Sequence, residues 1–278
     1  MIRHMKATLC TVFFSVAMLF LCTAPADAAV TLKALSSNKT YKQYDVTYDG
    51  KKDSIKYKHS DSAYYLKNHI YTMSLYVNGK RISKTDSSRG GTLYYCRFDN
   101  KNVFLIEALH YAGGATDYSV YACSKGKVQK IKTGFDKLNL FYFKQLKRTK
   151  DKKRLYIESS QKSTMLKSFP ASDVDTDKIV VRHLYYAKNG QIYLSSRAGT
   201  VVGSPKFIAN WSCRLSKSVS KINVKNGPYI SSGETVKLKK VYFTTDGSWR
   251  YYITGKNGSG WLADSADVTF RQPDRRFG

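Results

Sequence analysis

Four turn pairs constrain this chain more than any other feature: Asp49-Gly50, Asn78-Gly79, Asn189-Gly190 and Asp246-Gly247. Each separates two runs in which apolar and polar residues alternate. Tyr44, Val46 and Tyr48 precede the first pair and Ile55 and Tyr57 follow it; residues 70–77 and 81–83 flank the second. Asn-Gly and Asp-Gly tolerate the positive φ angles of tight hairpin turns, and period-two alternation on both sides is the pattern of half-buried strands. No helix-period pattern longer than about two turns stands out. The chain is expected to be all-β.

Residues 29–218 read as successive hairpins, a meandering antiparallel β domain. Units starting near Thr92, Leu138 and Ile179 recur at about 40 to 46 residues, close to the period of propeller blades, but blade signatures are absent. A propeller-like arrangement and a β-sandwich both fit. Residues 102–111 (NVFLIEALHY) are apolar on both faces and are expected to form a central strand. Ser and Lys replace the apolar alternation at residues 216–220, where a domain boundary is expected.

Residues 1–28 have the form of a secretory leader: Arg3 and Lys6, an apolar stretch from Leu9 to Leu21, and the small-x-small site Ala26-Asp27-Ala28. The stretch is shorter than the roughly 20 residues needed to span a bilayer. Leu21 before Cys22 argues against a lipid anchor, so a mature chain starting at Ala29 and secreted to the cell wall or beyond is expected. The formal charge is +27, and the leader takes away only two cations and one anion. Such a surface attracts polyanions. In an exported protein these are wall polymers, anionic lipid head groups or extracellular DNA; export disfavours nucleic acid, and basic character without a dedicated ligand is the plain alternative.

Cys96, Cys123 and Cys213 remain after the leader. Pairing residues 92–98 with 102–111 puts Cys96 opposite about Phe104, and turning at residues 112–117 puts Cys123 opposite about Ile106. That separates the two Cα atoms by about 10 Å, beyond disulfide reach. Both are expected to be small buried apolar residues. His110 and His183 sit in strong strand patterns and are expected to fill strand faces. Glu107, in the most apolar strand, falls on the opposite face from His110, so the two cannot act together. A buried Glu107 paired with a Lys is the simple expectation. Asp173, Asp175 and Asp177 resemble the start of a calcium loop, but Lys178 and Leu184 stand where Gly and a bidentate Glu are needed. No metal, cofactor or catalytic constellation is expected; Gly113-Gly114 reads as a turn.

Lys144, Lys147, Arg148, Lys150, Lys152, Lys153 and Arg154 crowd eleven positions with one acid, Asp151. As a hairpin tip they form either a solvated loop that protects an edge or a contact for phosphate-rich polymer, with the arginines able to make forked contacts.

Near the end of the chain, Ile222-Asn223-Val224-Lys225-Asn226-Gly227-Pro228, alternating Val236, Leu238 and Val241, then Trp249, Ile253, Gly258, Gly260, Trp261 and Leu262 follow in order. This stretch resembles bacterial SH3-type (SH3b) domains, small β-barrels appended to secreted cell-wall proteins. The resemblance implies an SH3-like β-barrel over residues 219–265, followed by a basic tail over 266–278. Gly227, Pro228, Gly258, Gly260 and Trp261 would be its structural motif, Trp261 in the core, with Tyr229, Trp249 and Tyr251 lining a ligand groove. The segment from Tyr229 to Glu234 is shorter than is usual in the family. The function implied is a secreted, non-enzymatic envelope protein whose SH3b-like module targets peptidoglycan or anionic wall polymer. A wall hydrolase with its active site in the N-terminal domain, and an extracellular adhesin or inhibitor, are the alternatives left open.

Overall fold

The computed structural model describes residues 29–47, 49–65, 68–99, 101–124, 126–132, 142–162, 166–167, 178–245, 248–263 and 270–271. The leader, the Asp173–Asp177 acidic run and the Asp246-Gly247 turn lie outside the described residues. The protein is all-β; among the described residues the strand pairs are antiparallel except for the short parallel pair of 166–167 with 270–271, and there is one three-residue 3-10 turn at Ala112–Gly114. Among the described residues, no helix is long and apolar enough to cross a membrane.

After β1 (Thr31–Leu35), the chain forms three four-stranded meanders in succession. The first is β2 (Thr40–Tyr44), β3 (Asp53–Tyr65), β4 (Asn68–Val77) and β5 (Lys80–Ser87); the second is β6 (Gly91–Arg97), β7 (Val103–His110), β8 (Thr116–Ser124) and β9 (Lys127–Ile131), with β1 on the outer edge of β6. The third is β10 (Tyr142–Arg148), β11 (Leu155–Lys162), β13 (Lys178–Lys188) and β14 (Gln191–Leu194), with β12 (Leu166–Lys167) set apart. Asn78 and Gly79, with φ of 51° and 79°, close β4 onto β5, and Asn189 and Gly190, at 51° and 69°, close β13 onto β14. Two consecutive positive φ angles are what the hairpin turns of these sequences require.

The meanders stack through their side chains. One core joins the first two, with Ile55, Tyr57, Met73 and Leu75 meeting Leu93, Leu105 and Leu109. A second joins the opposite face of the second meander to the third, with Phe104, Ile106 and Val120 meeting Leu155, Ile157 and Tyr185. This is why β7 is apolar on both faces: it is the inner strand of the middle layer, and all but its last residue are buried. Cys96 pairs with Phe104, as its spacing predicts, but Cys123 pairs with Val103 instead of Ile106. The 3-10 turn shortens the connection, since His110 already pairs with Thr116. Cys96 thus packs in one core and Cys123 in the other, on opposite faces, and Cys96, Cys123 and Cys213 are free.

The last third adds β15 (Ala198–Val201), β16 (Lys206–Ala209), β17 (Cys213–Arg214), β18 (Tyr229–Ile230), β19 (Thr235–Phe243), β20 (Trp249–Gly255), β21 (Gly258–Ala263) and β22 (Phe270–Arg271). β19 pairs with β20 on one edge; its other edge pairs with β15 and with β16. β15 in turn pairs with β13, so one eleven-stranded sheet runs from the third meander into the C-terminal strands. No sheet closes into a barrel among the described residues. The sheet continues across the boundary expected at residues 216–220, because the core around Val236, Val241 and Ile253 also takes in Ile179, Val181, Val201 and Phe207. Phe270, assigned from sequence to a basic tail, belongs to this core at 2% exposure.

Candidate functional site

The structure brings the Gly-Pro and Gly-x-Gly motif residues together around Leu215 and Ser216. A Cβ on Gly227 would lie 1.5 Å from the Leu215 carbonyl oxygen, and one on Gly260 would lie 2.7 Å from the Ser216 carbonyl oxygen. Neither position has room for a side chain. Pro228 accepts the Leu215 N–H at 2.8 Å, Gly258 abuts the Pro228 ring, and Trp261 and Ser216 exchange two backbone bonds of 2.7 Å. The motif therefore grips residues that precede the span of 219–265 expected for the barrel.

The expected groove is not assembled. Tyr251 is 2% exposed and packs in the C-terminal core. Trp249 is half-buried against it and against Phe243, their ring centroids 6.2 and 4.9 Å away. Tyr229 is exposed, with the Arg214 guanidinium 5.5 Å over its ring. Its carbonyl accepts a bond from Asn257, in the β20–β21 turn at the far end of β20 from Trp249. Six strand residues separate those ends, about 20 Å. Alternation explains the outcome: Tyr251 shares the inward parity of Ile253, whereas Trp261, expected in the core, is half-buried on the outward face.

The basic hairpin is divided in its roles. Lys144, Lys147 and Arg148 lie in β10 and the other four basic residues in the turn that follows. Arg148 donates to the Val30 carbonyl at 3.1 Å while the Lys152 carbonyl accepts the Val30 N–H, so the loop clasps the strand-leading residues at the start of the described chain. Lys147 pairs with Glu158 at 3.3 Å. Asp151 accepts the Lys153 N–H and, with Thr149, shapes the turn, leaving Lys150, Lys152, Lys153 and Arg154 exposed at the tip.

A more extensive arrangement lies on the outward face of the large sheet. Cross-strand register aligns Glu158 with Arg182, Arg182 with Thr200, Thr200 with Lys240, Lys240 with Tyr252, and Tyr252 with Trp261. Directly opposed residues share a face, so these six form one row of about 24 Å at the usual strand spacing. Tyr156 lies under Arg182 with the guanidinium 4.5 Å from its ring, and Lys240 stands 5.8 Å over Tyr252. Trp261 meets both Tyr252 and Tyr242 edge-on, at 5.0 and 6.2 Å. Beside the row, Tyr186 and Tyr193 stack at 5.5 Å and are 41% and 42% exposed. Burial works against ionisation of Glu158, but bonds and charge from Arg182 and Lys147 outweigh it and hold its carboxyl below the usual range. One anion thus sits between two cations, leaving the face positive.

Rings spaced along one sheet face, interleaved with cations, suit a polymer that offers both sugar or base faces and anionic groups. Sequence reading missed this face because its members come from six strands whose alignment is set by long-range pairing.

His110 and His183 both fill strand faces. His110 bonds through its two ring nitrogens to Thr92 and Thr116, at 3.2 and 3.3 Å, on the face opposite Glu107. His183 is fully buried beside Phe243, and burial lowers its pKa to about 4 against a smaller opposing contribution from the Ser196 backbone. Glu107 is held by Tyr57 and Tyr121 hydroxyls, each donating at 3.0 Å, and the Lys expected beside it acts only through the charge of Lys130. Burial raises its pKa, with those bonds opposing. Among the described residues, no three His, Cys, Asp or Glu side chains are grouped to hold a metal ion. No protein family, curated protein or solved structure matches the chain.

Proposed function

We propose that this is a secreted, non-enzymatic protein of the cell envelope that attaches to peptidoglycan or anionic wall polymer, and that the outward face of the large sheet makes the contact. The observation that carries the reading is the Arg182–Thr200–Lys240–Tyr252–Trp261 row with its flanking tyrosines. It joins short-range ring packing to positive charge on a chain whose net charge is +27. The leader-like residues 1–28 and the SH3b resemblance of residues 222–262 support the same setting. The exposed Lys150, Lys152, Lys153 and Arg154 tip adds long-range attraction without geometric selectivity.

The two contributions separate by salt. Attraction between exposed charges is largely screened at about 0.5 M, where the Debye length is roughly 4 Å, whereas ring packing is little affected. Co-sedimentation of residues 29–278 with purified walls, with and without teichoic acid, tests the reading. Replacing the four tip residues by Gln is expected to weaken binding at low salt only. A Tyr186→Ser/Tyr193→Ser/Trp261→Ser variant is expected to lose the salt-resistant fraction while keeping its β-sheet circular dichroism. Equal salt-resistant binding by the folded triple variant and the parent overturns the assignment of this face.

A further inference from the structure

A cleft of about 610 Å³ opens where the edge of the second meander faces the loop between β2 and β3 of the first. It lies on different sheets from the polymer-binding face proposed above, and its volume falls within the roughly 300–1,000 Å³ range of small-molecule sites. Tyr44 and Tyr95 meet in it with stacked rings, 4.1 Å apart and 19° from parallel. Tyr95 is buried and Arg97 bonds its hydroxyl, while Tyr44 retains exposed surface. Lys51, Lys52 and Arg97 line the cleft with one carboxylate, Asp45, so cations outnumber anions three to one.

Residues 45–47 and 49–53, which carry the two lysines, are fixed from behind. Asp53, 2% exposed, accepts the Val46 and Thr47 N–H groups at 2.6 and 2.8 Å and the Asn78 side-chain amide at 2.5 Å. Asp49 accepts the Lys51 N–H at 2.8 Å, and Asp45 the Gly50 N–H at 3.1 Å. A site held in place before its ligand arrives loses less entropy on binding. We infer that this cleft binds a sugar bearing a phosphate or carboxylate group. The Tyr44 ring offers a surface for the apolar face of a pyranose, Gln43 and Asp45 offer partners for hydroxyls, and the three cations receive the anionic group.

Isothermal titration of residues 29–278 at low salt tests the inference with four probes: glucose 6-phosphate, glucuronate, glucose and inorganic phosphate. At least one anionic sugar is expected to saturate about tenfold more tightly than either glucose or phosphate. The backbone amide resonances of Gly50, Lys51 and Arg97 should shift with it. Lys51→Gln/Lys52→Gln, in an exposed loop, is expected to weaken that binding about tenfold and to leave salt-resistant wall co-sedimentation unchanged, which separates this site from the sheet face. Three results overturn the inference: no saturation by either anionic sugar, inorganic phosphate binding as tightly as the sugar phosphate, or equal binding by parent and double variant.

Discussion

Tyr57 of the first meander reaches across the core shared with the second and donates its phenolic hydrogen to Glu107 at 3.0 Å. Tyr121 completes the pair on the other carboxylate oxygen, so the middle layer carries a buried acid held by two phenols of the core. The contact depends on a missing side chain: a Cβ on Gly91 would lie 2.6 Å from the Tyr57 hydroxyl and 3.0 Å from the Ala108 carbonyl.

Gly91→Ala is therefore expected to destabilise the protein by about 1–3 kcal/mol through overpacking. Removing the hydroxyl in Tyr57→Phe relieves the closer of the two clashes. The double variant should then be less destabilised than the two single changes combined, and urea unfolding of all four proteins measures the coupling.

Glu107→Gln should change how stability depends on pH. Burial raises the folded pKa of Glu107 above its unfolded value near 4.3. The folded state therefore holds the proton more tightly, and this group's contribution is fully present below about pH 4 and lost as pH rises through the raised value. The parent's stability relative to Glu107→Gln is expected to be greater at about pH 4 than at pH 7. Paired urea midpoints at the two pH values check it, and a ratio unchanged by pH contradicts it.

His183 predicts the opposite slope. Its folded pKa is lowered to about 4, while the unfolded residue titrates near 6.5. The unfolded chain takes the proton first, so stability is lost as pH falls from about 6.5 toward 4, by roughly 3 kcal/mol at most. His183→Leu should remove that part of the acid sensitivity, and the His183 ring resonances should stay constant between about pH 5.5 and 8.

Cys96 and Cys123 should resist thiol reagents in the native state and react once unfolded. Burial raises both thiol pKa values, that of Cys123 to about 12. Their placement in separate cores also forbids a bond between them. Non-reducing peptide mapping that finds this pair joined contradicts the layer order.

Adjacent tyrosines in β20 should behave in opposite ways. Tyr251→Ala empties a core site and is expected to cost about 3–5 kcal/mol. Tyr252→Ala, on the outward face against Trp261, should cost no more than about 1–2 kcal/mol and act on polymer binding instead. Thermal unfolding with wall co-sedimentation distinguishes the two.

Local signals carried much of the fold. Asn78-Gly79 and Asn189-Gly190 announce their hairpins because few other pairs accept two positive φ angles, and the two-sided apolarity of β7 announces a layer covered from both sides. Site geometry was less legible. Arg182, Thr200, Lys240, Tyr252 and Trp261 become neighbours only through pairings between distant segments, which no local period encodes. Tyr44 and Tyr95 belong to different sheets and meet only when the layers stack. For Tyr251 the family resemblance implied a groove, but the residue shares the inward parity of Ile253, and that inner face is continuous with the core.

The pairing of β19 sets an order of assembly. Each meander finds its partners among strands already made, so it can zip as the chain emerges N-terminus first. β15 and β16 are different: they do not pair with each other, and both rest on one edge of Thr235–Phe243. Until that late segment arrives, β16 waits unpaired along this ladder and β15 is held only by its two pairs with β13. The C-terminal strands thus act as a latch, and a chain stopped short of Thr235 presents open ladders to its neighbours in place of a finished sheet.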